Sequence, residues 1–437
     1  MSAEFATSLI GKACADFTVL YCLSEHEGYL FSAWYDADHR LTVGCRRPGE
    51  HQWEIARPEG FWISARHRPS TVTEYDSHNY LTMAVDSEGY LHLSGNMHVD
   101  PLIYFRSDSP LDIHSLRCIR TMTGEREDRA TYPLFFKDAQ GRLLFRYRDG
   151  CSGNGDDIYN LYNVSCQQWS RLLDTPLLNG EGVRNGYARP PVMGAEGYWH
   201  LVWMWRESPD CETNNNLSYA RSRDLVHWET STGQSLSLPI SRQTGEIVDD
   251  ADIGGGLINM VQELGFDNQG KPLLIYHRYD KQGFSQVYLA RPDGKGQWQK
   301  QQLSQWSFCW DFQGPGSIPP DLTLQAPRAV GDGKLEVEWS SIWTGRGIWL
   351  IDEATLTVIQ TLPAHTILDK DLLLPRQHLH PEAEVQLIAG HGKDCRPQSR
   401  YWLRWESLPI FRDEPHAANV AAANLELIEA ISSPDID

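Results

Sequence analysis

Two imidazoles and two carboxamides stand at the ends of one short stretch, Asp76 to His98 (DSHNYLTMAVDSEGYLHLSGNMH). His78 and Asn79 stand at its start, Asn96 and His98 at its end, and Asp86-Ser87-Glu88-Gly89 forms a turn between two alternating runs. If the runs pair as strands through that turn, His78 opens one and His98 ends the other, so both reach the same edge of a sheet. An imidazole, with a reference pKa of about 6.5, takes or gives a proton near neutral pH. Comparable side chains end later strands: Tyr147 with Arg148, Trp205 with Arg206, and His277 with Arg278. A tyrosine is a proton donor, and a base only if its pKa falls from about 10. An arginine holds an anionic group in a fixed fork of donors. Such a set is suited to proton transfer on an anionic, hydrogen-bonding substrate.

The elements that position these residues repeat. A polar turn with a glycine followed by an alternating strand occurs as HEGYLFSAW, DSEGYLHLSG, DAQGRLLFRY, GAEGYWHLVW, DNQGKPLLIY and GDGKLEVEW, with the glycines at 28, 89, 141, 197, 270 and 333. Their separations of 61, 52, 56, 73 and 63 residues suit one four-stranded sheet per unit. His98, Tyr147, Arg148, Arg206, His277 and Arg278 lie six to nine residues beyond their own turn glycine, so equivalent strand ends would bring them to one funnel. A degenerate seventh copy, AEVQLIAG with RYWLRWESL, leads to the expectation of an all-β, seven-bladed β-propeller over 1–412. In the tail, 413–437, Val420, Leu427, Ile428 and Ile431 fall near helical spacing behind Pro415, which predicts a short C-terminal helix. Ser222-Arg223-Asp224 with Trp228 resembles an Asp-box turn, with Val226 where that motif usually has glycine.

Composition narrows the function. The 437 residues carry a formal net charge of −19, which argues against nucleic acid as a partner. No apolar run is long enough for a membrane span. The nine cysteines are scattered without a CxxC pair, and the N-terminus lacks a basic region before its first apolar stretch, so a reduced, cytoplasmic location is expected. The sixteen tryptophans and eighteen tyrosines are the kind of surface that stacks sugars. An anionic substrate would need a local cluster of Arg or His within this acidic shell.

Several stretches together resemble the BNR-4 repeat propellers: DSHNYLTMAVDSEGYLHLSGNMHVDPLIYFRS, TYPLFFKDAQGRLLFRYRDGCSGNGDDIYNLYN, GYWHLVWMWRESPDC with LSYARSRDLVHW, and GGGLINMVQELGFDNQGKPLLIYHRYD. The resemblance covers roughly residues 75 to 320. Its relatives include ulvan lyases, lyases of rhamnose-α-1,4-glucuronate linkages, and a rhamnosidase acting on the same linkage. It implies that His78 and a tyrosine form the acid/base pair, and that His98 and an arginine bind or neutralise a uronate carboxylate. Tyr132, Tyr147 and Tyr162 share the relevant blade; Tyr147 is chosen because it ends an alternating strand, as His98 does. The arginine is Arg146 or Arg148, and Asn79, Arg206, His277 and Arg278 complete the expected substrate-binding set.

Uronate lyases remove the proton at C5 and expel the group on C4. Removal builds a second negative charge beside the carboxylate, so cations or donors must face that carboxylate, with a base near C5 and an acid near O4. No cofactor is required; a structural Ca2+ or Zn2+ is compatible with the chain. The expected partner is an acidic oligosaccharide, and the oligomeric state is left open. The alternatives are a rhamnosidase-type hydrolase, which needs carboxylic acids or a His-based device, and a non-catalytic sugar-binding propeller. Each residue also has a structural role open to it. Arg148, Arg206 and Arg278 have Asp149, Glu207 and Asp280 close by in sequence, and His277 could serve as a buried histidine bonded to a carbonyl. Asp249, Asp250 and Asp252 fit a solvated loop better than a calcium site, and the glycine runs at 150–155 and 254–256 lack the residues of a phosphate cradle.

Overall fold

The computed structural model of the protein describes residues 4–365, 368–390, 400–417 and 420–431. Among these the chain is all-β, and its only helices are 3-10 turns of three or four residues. The alternating runs read from the sequence form Tyr29–Tyr35, Leu91–Gly95, Leu143–Cys151, Trp199–Arg206, Pro272–Tyr279 and Lys334–Ser341. The six turn glycines all have positive φ, between +66° and +87°. At Gly89 the requirement is twofold, because a Cβ there would also lie 3.2 Å from Pro110 Cβ.

The chain divides into two compact units. The first comprises residues 1–150, 159–172 and 366–437. It holds two antiparallel meanders, Cys22–His26 to Glu54–Ala56 and Leu81–Val85 to Leu116–Ile119. A third sheet pairs His98–Asp100 with Ala130–Lys137 and the latter with Leu143–Cys151. In a fourth, Glu384–Ala389, Tyr401–Ser407 and Ala423–Ile431 are joined by Glu4–Ala13. Trp34, Leu91, Leu93, Phe105, Phe145 and Trp405 are among its fully buried side chains. The second unit, residues 151–158 and 173–365, consists of further antiparallel meanders centred on Trp199–Arg206, Pro272–Tyr279 and Lys334–Ser341. Leu273, Ile275, Val287, Leu289, Leu335, Val337 and Ile351 pack into one of its cores.

The expected C-terminal helix is a strand, Ala423–Ile431. It pairs with Glu4–Ala13 along its whole length and with Tyr401–Ser407 on its other edge. Leu425 and Leu427 alternate inward as a strand requires, and both ladders outweigh the weak helical spacing of the apolar residues. The Asp-box resemblance is realised as a turn: Asp224 Oδ1 accepts from the backbone N–H of Val226 and His227, and Trp228 Nε1 donates to Leu225 O at 3.0 Å. Leu225, at φ +66°, takes the left-handed position, so Val226 needs no glycine. No described helix is long and apolar enough to cross a membrane, and the described cysteines are free thiols.

Candidate active site

The hairpin expected to carry the two histidines is shorter than its sequence suggests, and both lie just outside it. Leu81–Val85 pairs with Leu91–Gly95, with Leu81 opposite Gly95. His78 belongs to a 3-10 turn, Ser77–Asn79, capped by Asp76. His98 opens the strand His98–Asp100, which belongs to the next sheet. Asn96 at φ +61° and Val99 at φ +60° bend the chain on either side of His98. The two imidazoles stack with centroids 3.9 Å apart and planes within 16°.

One carboxylate meets both rings. Asp76 Oδ1 accepts from His78 Nδ1 at 2.7 Å and from the His78 backbone N–H at 2.9 Å, while Oδ2 accepts from His98 Nδ1 at 2.5 Å. Burial alone would raise the Asp76 carboxyl, but the hydrogen bonds from the two histidines outweigh it and hold the group far below the usual carboxylate range. Burial pulls His98 below its ordinary value of 6.5, against the opposing pull of Asp76. Asp413, from the chain's last described loop, accepts from the Ser77 N–H and hydroxyl and places Oδ2 3.6 Å from His78 Nδ1. Arg66 binds the His98 strand, donating to His98 O at 2.7 Å and to Asp100 Oδ1 at 2.8 Å.

The tyrosine that meets His78 is Tyr132, with its hydroxyl 3.1 Å from Nε2. Tyr132 lies at a bulge. Thr131 pairs with Arg148 and Leu134 with Arg146, so Tyr132 and Pro133 together stand opposite the single residue Tyr147. Tyr132 has φ +58°, a left-handed conformation that a tyrosine rarely adopts, and the bulge turns its ring towards His78. Arg148 lies over that ring, its guanidinium carbon 4.8 Å from the centroid, and donates to Thr131 Oγ1 at 3.1 Å. His78, His98, Tyr132 and Arg148, all in the first unit, therefore form one cluster around Asp76.

Tyr147 is not part of this cluster. It is fully buried, donates to Arg126 O at 3.1 Å and accepts from Arg171 at 3.0 Å. Burial pushes its hydroxyl up to about 12, which suits neither a base nor a ready donor. Strand alternation pointed to Tyr147, but the hydroxyl that meets His78 is that of Tyr132. Pro133 inside a paired strand was the available sign, because proline in a sheet marks an edge or a bulge. Asn79 is buried with its Nδ2 on Thr73 Oγ1 at 3.1 Å, and its backbone O accepts from Tyr35 Oη at 2.5 Å; its role is to hold the turn. Arg146 lies over the Tyr159 ring, 5.8 Å from its centroid.

In the second unit the expected residues are built into the structure. His277 is fully buried, with Nδ1 2.6 Å from Gly256 O, and burial pushes it down to about 4. Arg278 pairs with Asp249 at 2.5 Å rather than with Asp280. Asp249 also accepts from Tyr276 Oη at 2.6 Å, which commits it to the core rather than to a calcium loop. Arg206 is buried and donates to the carbonyls of Ser208, Pro209 and Asp210, closing its own loop. Trp205 is fully buried.

Asp76, His78 and His98 bring three potential metal-ligand atoms within 4.8 Å of one another. In the structure both Nδ1 atoms are hydrogen-bonded to the Asp76 carboxylate, so these two contacts need no cation.

Residues 29–306 match the BNR repeat-containing family. No curated protein matches the chain. Among solved structures, a polysaccharide lyase described as a PL25 ulvan lyase aligns with a TM-score of 0.61 at 13% identity, over 97% of this chain and 96% of that one. An ulvan lyase of the same description bound to GlcA(1-4)Rha3S aligns at 0.60 and 14% identity, over 95% of each chain. The polysaccharide lyase Uly1 aligns at 0.57 and 15% identity, over 97% of this chain and 92% of that one. At these identities the likeness is one of fold.

Proposed function

Because the chain belongs to the BNR repeat-containing family, we propose that it is a polysaccharide lyase that cleaves a uronate-containing saccharide of the rhamnose/glucuronate type by β-elimination. In this reading the successive four-stranded meanders are the blades of a seven-bladed β-propeller. The observation that carries the function is the direct contact between His78 Nε2 and the Tyr132 hydroxyl, with Arg148 over the tyrosine ring. A base, an acid and a cation are thereby gathered where fold relatives are lyases.

With substrate bound, the Tyr132 O–H turns from His78 Nε2 to O4; the freed Nε2 takes the C5 proton, and the C5–H electron pair forms the C4–C5 double bond as the C4–O bond breaks. Tyr132 gives its proton to the departing oxygen. Arg148 faces the uronate carboxylate, and its charge offsets what builds up there as C5 loses its proton. The tyrosinate left behind sits beside the imidazolium just formed, at the 3.1 Å separation of the resting pair. The proton crosses that hydrogen bond and both groups return to their starting states, with no water consumed.

That balance gives the test. In a digest of a defined rhamnose/glucuronate oligosaccharide, the fragment masses should sum to the parent mass. A sum exceeding it by one water per cut would identify a hydrolase, and an unchanged parent that still binds would identify a sugar-binding module.

A further inference from the structure

We infer that Asp76 is a positioning residue: its single carboxylate fixes both His78 and His98 as Nδ1–H tautomers and turns both Nε2 atoms away from itself as lone-pair acceptors. This rests on the lyase reading for its catalytic consequence, but not for the tautomers themselves.

A carboxylate only accepts hydrogen bonds, so a ring nitrogen held against one must carry the hydrogen. Asp76 Oδ1 lies 2.7 Å from His78 Nδ1 and Oδ2 lies 2.5 Å from His98 Nδ1. A neutral imidazole has one N–H, so each Nε2 is left with its lone pair. For His78 this makes Nε2 the acceptor of the Tyr132 O–H, and the tyrosine is thereby set as a donor. For His98 the same constraint presents an acceptor rather than a cation in the resting site. The near-parallel stack of the rings, 3.9 Å apart, follows from sharing one carboxylate.

Other charged groups face the cluster without replacing this contact. Asp413 Oδ2 lies 3.6 Å from His78 Nδ1, well beyond the 2.7 Å of the Asp76 contact, and its Oδ1 accepts from Ser77. The charge of Arg148 is felt at His98 and that of Arg66 at Asp76, and the hydrogen bond of Arg66 in this cluster goes to the His98 backbone O rather than to an imidazole. Asp76 is thus the group that bonds both rings, and it sits in the cap of the turn that carries His78, so its own position is fixed by the backbone. The tautomers also assign the work at the site: Arg148 carries the positive charge opposite the substrate carboxylate, and the two Nε2 atoms carry the acceptors.

The test reads the tautomers directly. Long-range proton–nitrogen spectra of the 15N-histidine-labelled protein at neutral pH, assigned with His78→Gln and His98→Gln, should show both rings protonated at Nδ1. Asp76→Asn, whose amide can turn an NH2 towards either ring, should lose that signature for at least one of them. The same variant should lower kcat about 10⁴-fold, the scale seen when a histidine is held in the wrong tautomer, with KM changed less than about threefold. An Nε2–H tautomer for either ring in the unmodified protein would overturn the inference, and would do so even if Asp76→Asn failed to fold. So would an Asp76→Asn enzyme within a few-fold of full kcat. The spectra need no substrate, so a protein with the expected tautomers but no eliminase activity would remove the lyase reading and leave the role of Asp76 standing.

Discussion

At the scale of single residues, the two tyrosines that face each other across one strand pair should behave oppositely. Tyr132→Phe removes the hydroxyl that meets His78 and should lower kcat by about 10²- to 10⁴-fold with little change in stability. Tyr147→Phe removes a buried hydroxyl bonded to Arg126 and Arg171, and should cost about 1–3 kcal/mol of stability while leaving kcat within a few-fold. Steady-state kinetics and denaturant unfolding of the pair check both. The pH dependence of stability is also set by particular side chains. Burial holds His277 and His200 at about 4 against an ordinary 6.5, so between those values the unfolded chain binds the more protons. Their contribution is complete above about pH 6.5 and is lost as pH falls to about 4, at roughly 3 kcal/mol each. Asp76, held below its ordinary 3.8, adds a loss that begins only below that pH. Denaturation midpoints at pH 7 and pH 4.5 should show the drop, and His277→Gln should flatten it. The histidines were legible because their spacing is unbroken, whereas Tyr132 was hidden: a one-residue bulge changes which face a side chain takes, and alternation read from sequence assumes there is none.

At the scale of elements, the site depends on short departures from regular strands. Asn96 and Val99, within two residues of His98, and Tyr132, whose hydroxyl meets His78, all have positive φ. Gly95 is the tightest point, because a Cβ on it would lie 2.4 Å from Tyr80 O and 3.0 Å from Leu81 Cα. Gly95→Ala must push apart the two strands whose ends lead to His78 and His98, so it should lower kcat at least about tenfold even where the protein remains folded. Near-ultraviolet circular dichroism alongside kinetics separates the two effects, and full activity would show that the site tolerates the displacement. The repeated turns were readable because a glycine, a polar turn and an alternating strand all point to the same local structure. The tail misled because Leu427, Ile428 and Ile431 satisfy a helical spacing as well as a strand, and only its long-range partner Glu4–Ala13 decides between them. In the second unit, His277, Arg278 and Arg206 kept the expected strand positions but turned to the core and to their own loops. A strand position fixes which face a side chain takes and says nothing of the partner it finds there.

At the scale of the whole molecule, a chain of net charge −19 must attract an anionic saccharide through a local cationic group. The overall charge repels such a substrate over the long screening distance of dilute salt, about 30 Å at 0.01 M, and much less at about 10 Å in 0.1 M. kcat/KM for an acidic oligosaccharide should therefore rise with salt over that range, while a neutral analogue should show no such rise. The central claim is that His78 and Tyr132 carry out an elimination on a uronate. The most direct measurement follows the ultraviolet absorbance of the unsaturated uronate during digestion of a rhamnose/glucuronate oligosaccharide by the unmodified protein, His78→Ala and Tyr132→Phe. The absorbance should rise with the unmodified protein and about 10²- to 10⁴-fold more slowly with either folded variant. Reducing ends released without the chromophore, or variants as fast as the unmodified protein, would contradict it.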